Sequence, residues 1–184
     1  MDYFKQHRKS YMEVGEIFFF TSTINNWKPL LKNDSYKQII IDSLEWLANA
    51  GKLDVFAFVI MPNHFHVIWR TNDINGKETV QGSFLKYTAH QFRRKLLNDN
   101  PSSLAEYAVR ASNKEYEFWQ RDPVAIYLYS PPVAWQKLEY IHLNPLGEHW
   151  NLVTDPCEYY YSSASFYEKD IVHFPFLKDL RNEF

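Results

Sequence analysis

The sequence predicts an α+β fold: a ferredoxin-like split βαββαβ arrangement with an antiparallel sheet, helices on one face and an additional C-terminal helix that carries Tyr140. Three observations lead there. Period-2 and period-3.6 apolar patterns alternate in the order strand, helix, strand, strand, helix, strand. The stretch Val55 to Arg70, VFAFVIMPNHFHVIWR, places two apolar runs around Pro62-Asn63, a turn-forming dipeptide, and so reads as a tight hairpin. With 14 Phe, 13 Tyr and 6 Trp against 5 Gly in 184 residues, the composition suits a packed core and not a disordered or repetitive chain.

Each element has a local reason. Glu16 to Ile24 (EIFFFTSTI) is rich in aromatic and β-branched residues, which fit a pleated surface, and forms the first predicted strand. Asn33-Asp34-Ser35 supplies an N-cap for a helix to about Ala50, with Ile39, Ile40, Leu44 and Leu47 at helical spacing and Gly51 beyond its end. The hairpin follows. After the polar loop TNDINGKET, a second helix is predicted from about Thr79 to Leu97, with Leu85, Ala89, Phe92 and Leu96 on its apolar side. Asn98 to Asn113 reads as a loop, and Tyr116 to Trp119 with Val124 to Tyr129 as the last strand material. A third helix starts near Ser130 with Pro131 and Pro132 in its first turn and ends at Asn144, because Pro145 disfavours helical geometry before it.

Length fits one domain with a buried core. We divide it into a basic arm over residues 1–13 holding Lys5, Arg8 and Lys9, a main domain over 14–167 and a tail over 168–184. The lone Cys157 has no partner for an internal disulfide, and neither a signal peptide nor a long apolar span is visible, so a cytoplasmic protein with no membrane partner is expected. The net charge of −2 argues against indiscriminate binding to polyanions.

Chemistry concentrates in two places. On a strand, His64 and His66 share one face about 7 Å apart while Phe65 points to the other. Such a pair is either a core feature satisfied by hydrogen bonds or two teeth of a metal clamp; the apolar flanks make an unsatisfied pair costly. In the third helix Tyr140 and Asn144 lie four apart, on one face. By spacing alone they are a half-buried aromatic and a helix-end amide; against the histidines, the amide oxygen could complete a two-nitrogen, one-oxygen set for Mg²⁺ or Mn²⁺. A non-haem iron site would call for a carboxylate that the His pair lacks. Lys86, His90, Arg93 and Arg94 form the most basic helix face in the chain, either a solvated surface or a contact for DNA phosphates on the side of the histidines.

Three short motifs in order, MPNHFHVIW at 61–69, Tyr140-Ile-His-Leu-Asn-Pro145 and Tyr161-Ser162-Ser163-Ala164, resemble the single-tyrosine HUH transposases, in the branch associated with repetitive extragenic palindromes. Phe118-Trp119-Gln120 is similar to that family as well. The likeness spans about Gly15 to Tyr167. It implies that His64 and His66 are metal ligands, that Asn144 contributes a third, that Tyr140 is the nucleophile and that the cofactor is a divalent metal, Mg²⁺ or Mn²⁺.

It further implies a metal-dependent single-stranded DNA endonuclease and strand transferase, a transposase acting through a 5′-phosphotyrosine on hairpin-forming DNA, and a homodimer is plausible. Free tyrosine has a pKa of about 10 and needs a nearby cation or base to act as a nucleophile at neutral pH. No GxxxxGK[ST] phosphate loop is present, and a covalent phosphotyrosine needs none. The alternatives are a rolling-circle replication initiator, for which the chain leaves no room for further domains, and a regulator that binds DNA hairpins without cutting. Tyr159, Tyr160 and Tyr161 are nucleophiles by residue type, but their position before Ser162-Ser163 assigns them to packing.

Overall fold

The computed structural model describes residues 8–9, 12–111 and 114–184. In chain order the elements are β1 (Arg8–Lys9), β2 (Ile17–Thr23), α1 (Asp34–Asn49), β3 (Leu53–Ile60), β4 (His64–Thr71), α2 (Val80–Asp99), β5 (Ala108–Ala111), β6 (Lys114–Tyr116), β7 (Val124–Tyr127), α3 (Pro131–Leu143) and α4 (Ala164–Lys169). The main sheet has the order β1-β7-β2-β4-β3 with every pairing antiparallel. Without the short β1 this is the split βαββαβ arrangement that the alternating pattern predicts. Of the expected N-terminal arm, residues 1–7 and 10–11, Lys5 included, lie outside the described residues.

Local chemistry sets the boundaries. Asn33 caps α1 by accepting from the Ser35 amide at 3.0 Å, and Thr79 caps α2 by accepting from Gly82 at 3.1 Å. Gly51, at φ +69°, turns the chain out of α1 into β3, a conformation in which a Cβ would be strained. In the hairpin the Met61 amide donates to the His64 carbonyl at 2.8 Å, closing the turn at Pro62-Asn63.

Strand alternation divides the core into two layers. Phe18 and Phe20 of β2, Val55, Phe58 and Ile60 of β3, and Phe65, Val67 and Trp69 of β4 face α1 and α2. Ile17 and Phe19, Phe56, Ala57 and Val59, and Ile68 face α3. An irregularity between Val55 and Ala57 puts Phe56 and Ala57 on the same side, so both layers remain apolar along β3. Phe65 is fully buried among Phe20, Phe84 and Trp119; truncating such a ring to alanine costs about 3–5 kcal/mol. Burying it fixes which way its two histidine neighbours point.

Two expectations change. Of Tyr116 to Trp119 only the end reaches the main sheet, where Trp119 bridges Ile24 just past β2 and the Gln120 amide donates to the Thr23 carbonyl at 2.8 Å; β6 pairs with β5 in a separate two-stranded ribbon, preceded by a 3-10 turn at Pro101–Tyr107 where a loop was expected. The reason is aromatic burial, since Phe118 stacks on Tyr107 with centroids 4.6 Å apart and Trp119 Nε1 donates to Thr88 Oγ1 at 3.0 Å. The tail over 168–184 packs as part of the core. Phe174, Phe176 and Leu180 are buried, and the Lys178 amide donates to the Val55 carbonyl at 2.8 Å. Together with Ser162, bridged to Val59, this segment covers the outer edge of β3. No helix among the described residues is long and apolar enough to cross a membrane.

Candidate functional site

The α3 layer holds the site. His64 and His66 emerge on this face because Phe65 is committed to the other, and their ring centroids lie 4.7 Å apart at 71°. Pairing with β2 sets Thr21 opposite His66 and Thr23 opposite His64. Phe19 forms a floor, stacked on the His66 ring at 5.3 Å and 22°. Both imidazoles are buried, with 8% and 4% of their surface exposed. Burial pushes His64 down to about 4, opposed by the neighbouring Asn144 amide. It holds His66 well below the usual histidine range, with the nearby His64 and Lys137 acting in the same direction. Both rings are therefore neutral at pH 7, the state in which a ring nitrogen can bind a metal.

The outer nitrogens are already assigned. His64 Nδ1 lies 2.7 Å from Asn63 Oδ1 and His66 Nδ1 lies 2.6 Å from Thr21 Oγ1. Asn63 Nδ2 donates to the Trp27 carbonyl at 3.2 Å, which fixes the orientation of the amide. Because Asn63 Oδ1 can only accept, His64 carries its proton on Nδ1 and leaves a lone pair on Nε2. The Asn63 and Thr21 oxygens thus fix the ring orientations of His64 and His66.

α3 supplies the opposite wall. Its buried Ala134 and Ile141 dock on the sheet while buried His142 meets Ser163 and Tyr167, and the adjoining face turns Lys137, Tyr140 and Asn144 into the cavity at i, i+3 and i+7. The Tyr140 ring meets His66 edge-on at 5.1 Å and Phe19 at 5.9 Å, yet stays 47% exposed. Lys137 Nζ lies 5.1 Å from the Phe19 centroid and 5.6 Å from that of Tyr140, and burial lowers its ammonium from the usual range. Asn144 caps α3, where Pro145 begins a 3-10 turn. Although Asn144 acts on the ionisation of His64, its Oδ1 meets no hydrogen-bond geometry; like His66 Nε2 it is buried without a partner. These two orphaned polar atoms belong to residues that line a cavity of about 960 Å³. Among the described residues no group of three or more His, Cys, Asp or Glu could hold a metal ion.

The structure thus brings together His64, His66, Tyr140 and Asn144. It does not bring Lys86, His90, Arg93 and Arg94 to the same side. α2 packs on the opposite face of the sheet, where Phe84 contacts Phe65 at 5.4 Å, because the apolar stripe of α2 must cover the layer that Phe65 joins. The exposed face is also partly neutralised: Lys86 pairs with Glu78 at 2.6 Å and Arg93 with Glu115 at 3.8 Å. Of the C-terminal tyrosines, Tyr159 donates to the Ile60 carbonyl at 2.8 Å and Tyr161 to that of Asp34 at 3.4 Å, while Tyr160 packs on Phe174.

Sequence reasoning passed over Thr21, Asn63, Lys137 and Trp27, which also line or support the cavity. The alternation in Thr21-Ser-Thr23 and the three-residue step from Lys137 to Tyr140 were the available signals. For Trp27 there was none in the pattern: Asn26 and Trp27 both adopt left-handed backbone, φ 56° and 57°. That conformation costs about 1 kcal/mol or more in a bulky residue and persists where the surroundings enforce it.

Fold and site define a class, a ferredoxin-like α+β protein in which a strand-borne histidine pair faces a helix-borne tyrosine and asparagine. A solved structure of a REP-associated tyrosine transposase bound to a REP hairpin has a similar fold, with a TM-score of 0.60 and 18% sequence identity over 90% of this chain and 86% of that chain. At this identity the similarity is one of fold. No protein-family profile and no curated protein matches the chain.

Proposed function

We propose that the protein is a divalent-metal-dependent endonuclease and strand transferase for single-stranded, hairpin-forming DNA, a transposase working through a phosphotyrosine. The observation that carries this reading is the pair of buried, partnerless atoms, His66 Nε2 and Asn144 Oδ1, beside an exposed tyrosine. The fold shared with a transposase bound to a DNA hairpin supports it.

The residues fit Mg²⁺ or Mn²⁺ held by His64, His66 and Asn144. When bound, such an ion polarises a phosphate oxygen and neutralises charge that builds on the phosphoryl group. Asn63 holds His64 with its proton on the outer nitrogen, and Thr21 engages Nδ1 of His66 and so leaves its Nε2 free of that contact. Tyr140 attacks phosphorus through Oη, the phenolic proton passes to solvent, and the bond from phosphorus to the 3′ oxygen breaks. The 3′ oxygen takes up a proton, leaving a free 3′-hydroxyl and a 5′-phosphotyrosine. Lys137, its cation beside the Tyr140 ring, stabilises charge on the phosphoryl group. The phosphodiester energy stays in the covalent link, so a second 3′-hydroxyl can attack it and join strands without ATP.

The test is incubation of labelled hairpin-bearing single strands with the protein and Mn²⁺. A denaturation-resistant adduct that needs the metal is expected; no adduct across a panel of hairpins with either metal would refute the reading.

A further inference from the structure

The cavity extends past Tyr140 to Trp27, a residue 62% exposed although it belongs to a wall shared with His64, His66 and Tyr140. A large aromatic left in water beside a polar site is unusual unless something covers it. Its support is rigid. The Ile24 amide donates to the Asn63 carbonyl at 2.7 Å, Asn25 donates to the Phe118 carbonyl at 2.7 Å, and Asn63 Nδ2 reaches the Trp27 carbonyl at 3.2 Å. These bonds hold two consecutive residues in the left-handed conformation and so display the indole instead of letting it fold into the core. The clamp is the same Asn63 that orients His64, so ring and ligand are set by one side chain.

We infer that Trp27 is a stacking platform for one unpaired nucleobase next to the phosphate that Tyr140 attacks. The inference rests on the function proposed above and adds the part of the substrate that this wall recognises. A flat π-face at the mouth of a cavity too large for a phosphodiester alone takes any base, and an indole held in advance loses little freedom on stacking. A duplex offers no such face, because its bases are already stacked; the platform therefore selects single-stranded flank over hairpin stem. The specificity it gives is for unpairedness, not for base identity.

The experiment measures binding of hairpins with single-stranded flanks, each flank nucleotide replaced in turn by an abasic unit. It is done in a Tyr140→Phe background so that no cleavage occurs. One abasic position is expected to weaken binding about tenfold in that parent, as losing one stacked base does. Trp27→Ala should show the same tenfold loss with intact DNA and no further loss with that abasic strand, whereas Trp27→Phe should keep most of the affinity. Trp27→Leu, apolar and of similar bulk, should behave as Trp27→Ala; its thermal melt controls for folding. Additive losses, parent-like binding by both Trp27→Ala and Trp27→Leu, or a parent that binds no flanked hairpin would each overturn the platform. If the chain with Tyr140 intact forms no adduct while the coupling holds, strand transfer fails and the platform stands.

Discussion

Thr21 Oγ1 lies 2.6 Å from His66 Nδ1, a contact made across the β2 and β4 pairing, and it leaves Nε2 as the nitrogen available to a ligand. Without that oxygen the ring could exchange tautomers or rotate, since Phe19 restrains it only by stacking. Thr21→Val keeps the shape and removes the hydroxyl. It should weaken Mn²⁺ binding roughly 10–100-fold, the usual cost of an outer partner, while Thr21→Ser stays near the parent. Calorimetric titration with Mn²⁺ reads this directly; unchanged affinity in Thr21→Val would remove the threonine from the site.

The buried histidines predict a stability profile. Burial holds His64 and His142 at about 4, whereas unfolded histidine titrates near 6.5. Between those values the unfolded chain binds more protons than the folded one, so stability falls as pH drops through 6.5 and levels off near 4. Each ring should cost about 2 kcal/mol on going from pH 7 to pH 5 in metal-free protein. Urea denaturation at the two pH values measures the sum. His64→Gln and His142→Gln should each remove one share, with buried His66 contributing in the same direction to what is left; a flat profile would contradict their burial.

The hairpin, the first helix with its Asn33 cap, and the proline-started third helix were legible because their signals are local. Phe65 even told which residues would share a face with the histidines. What the pattern could not reveal depends on pairing between distant segments. Thr21 meets His66 through a strand register, and Asn63 links His64 to Trp27 through a turn 36 residues away. The amphipathic stripe of α2 showed that one side is buried, but not that it covers the layer opposite the histidines. Phe118 and Trp119 looked like strand residues and were claimed by the core under α2.

That placement sharpens what Lys86, His90, Arg93 and Arg94 can do. From the far layer they can reach phosphates only on DNA that wraps past the sheet, away from the cavity that holds His66 and Tyr140. If they do, Lys86→Ala and Arg94→Ala should each flatten the dependence of log affinity on log salt by about 0.7–0.9 and leave adduct chemistry at saturating DNA unaltered. Fluorescence anisotropy over a salt series decides it, and an unchanged slope assigns the face to solvent.

The last prediction separates three groups on one helix face. Tyr140 is exposed and touches His66 by its edge, so Tyr140→Phe removes the attacking oxygen while keeping ring packing. It should bind hairpin DNA and Mn²⁺ as the parent does and form no adduct. Asn144 has a buried, partnerless oxygen, so Asn144→Ala should raise the Mn²⁺ needed for half-maximal adduct formation by at least the 10–100-fold typical of losing an outer partner. Lys137 lies beside the phenol ring and Phe19, so Lys137→Met should slow adduct formation about 10²-fold, as loss of a transition-state charge does, with little change in the metal requirement. Single-turnover assays across Mn²⁺ concentrations resolve the three patterns, and peptide mapping of the trapped adduct locates the bond. A linked peptide containing Tyr159 to Tyr161 in place of Tyr140 would overturn the assignment, because Tyr159 and Tyr161 are engaged with the Ile60 and Asp34 carbonyls and Tyr160 packs on Phe174.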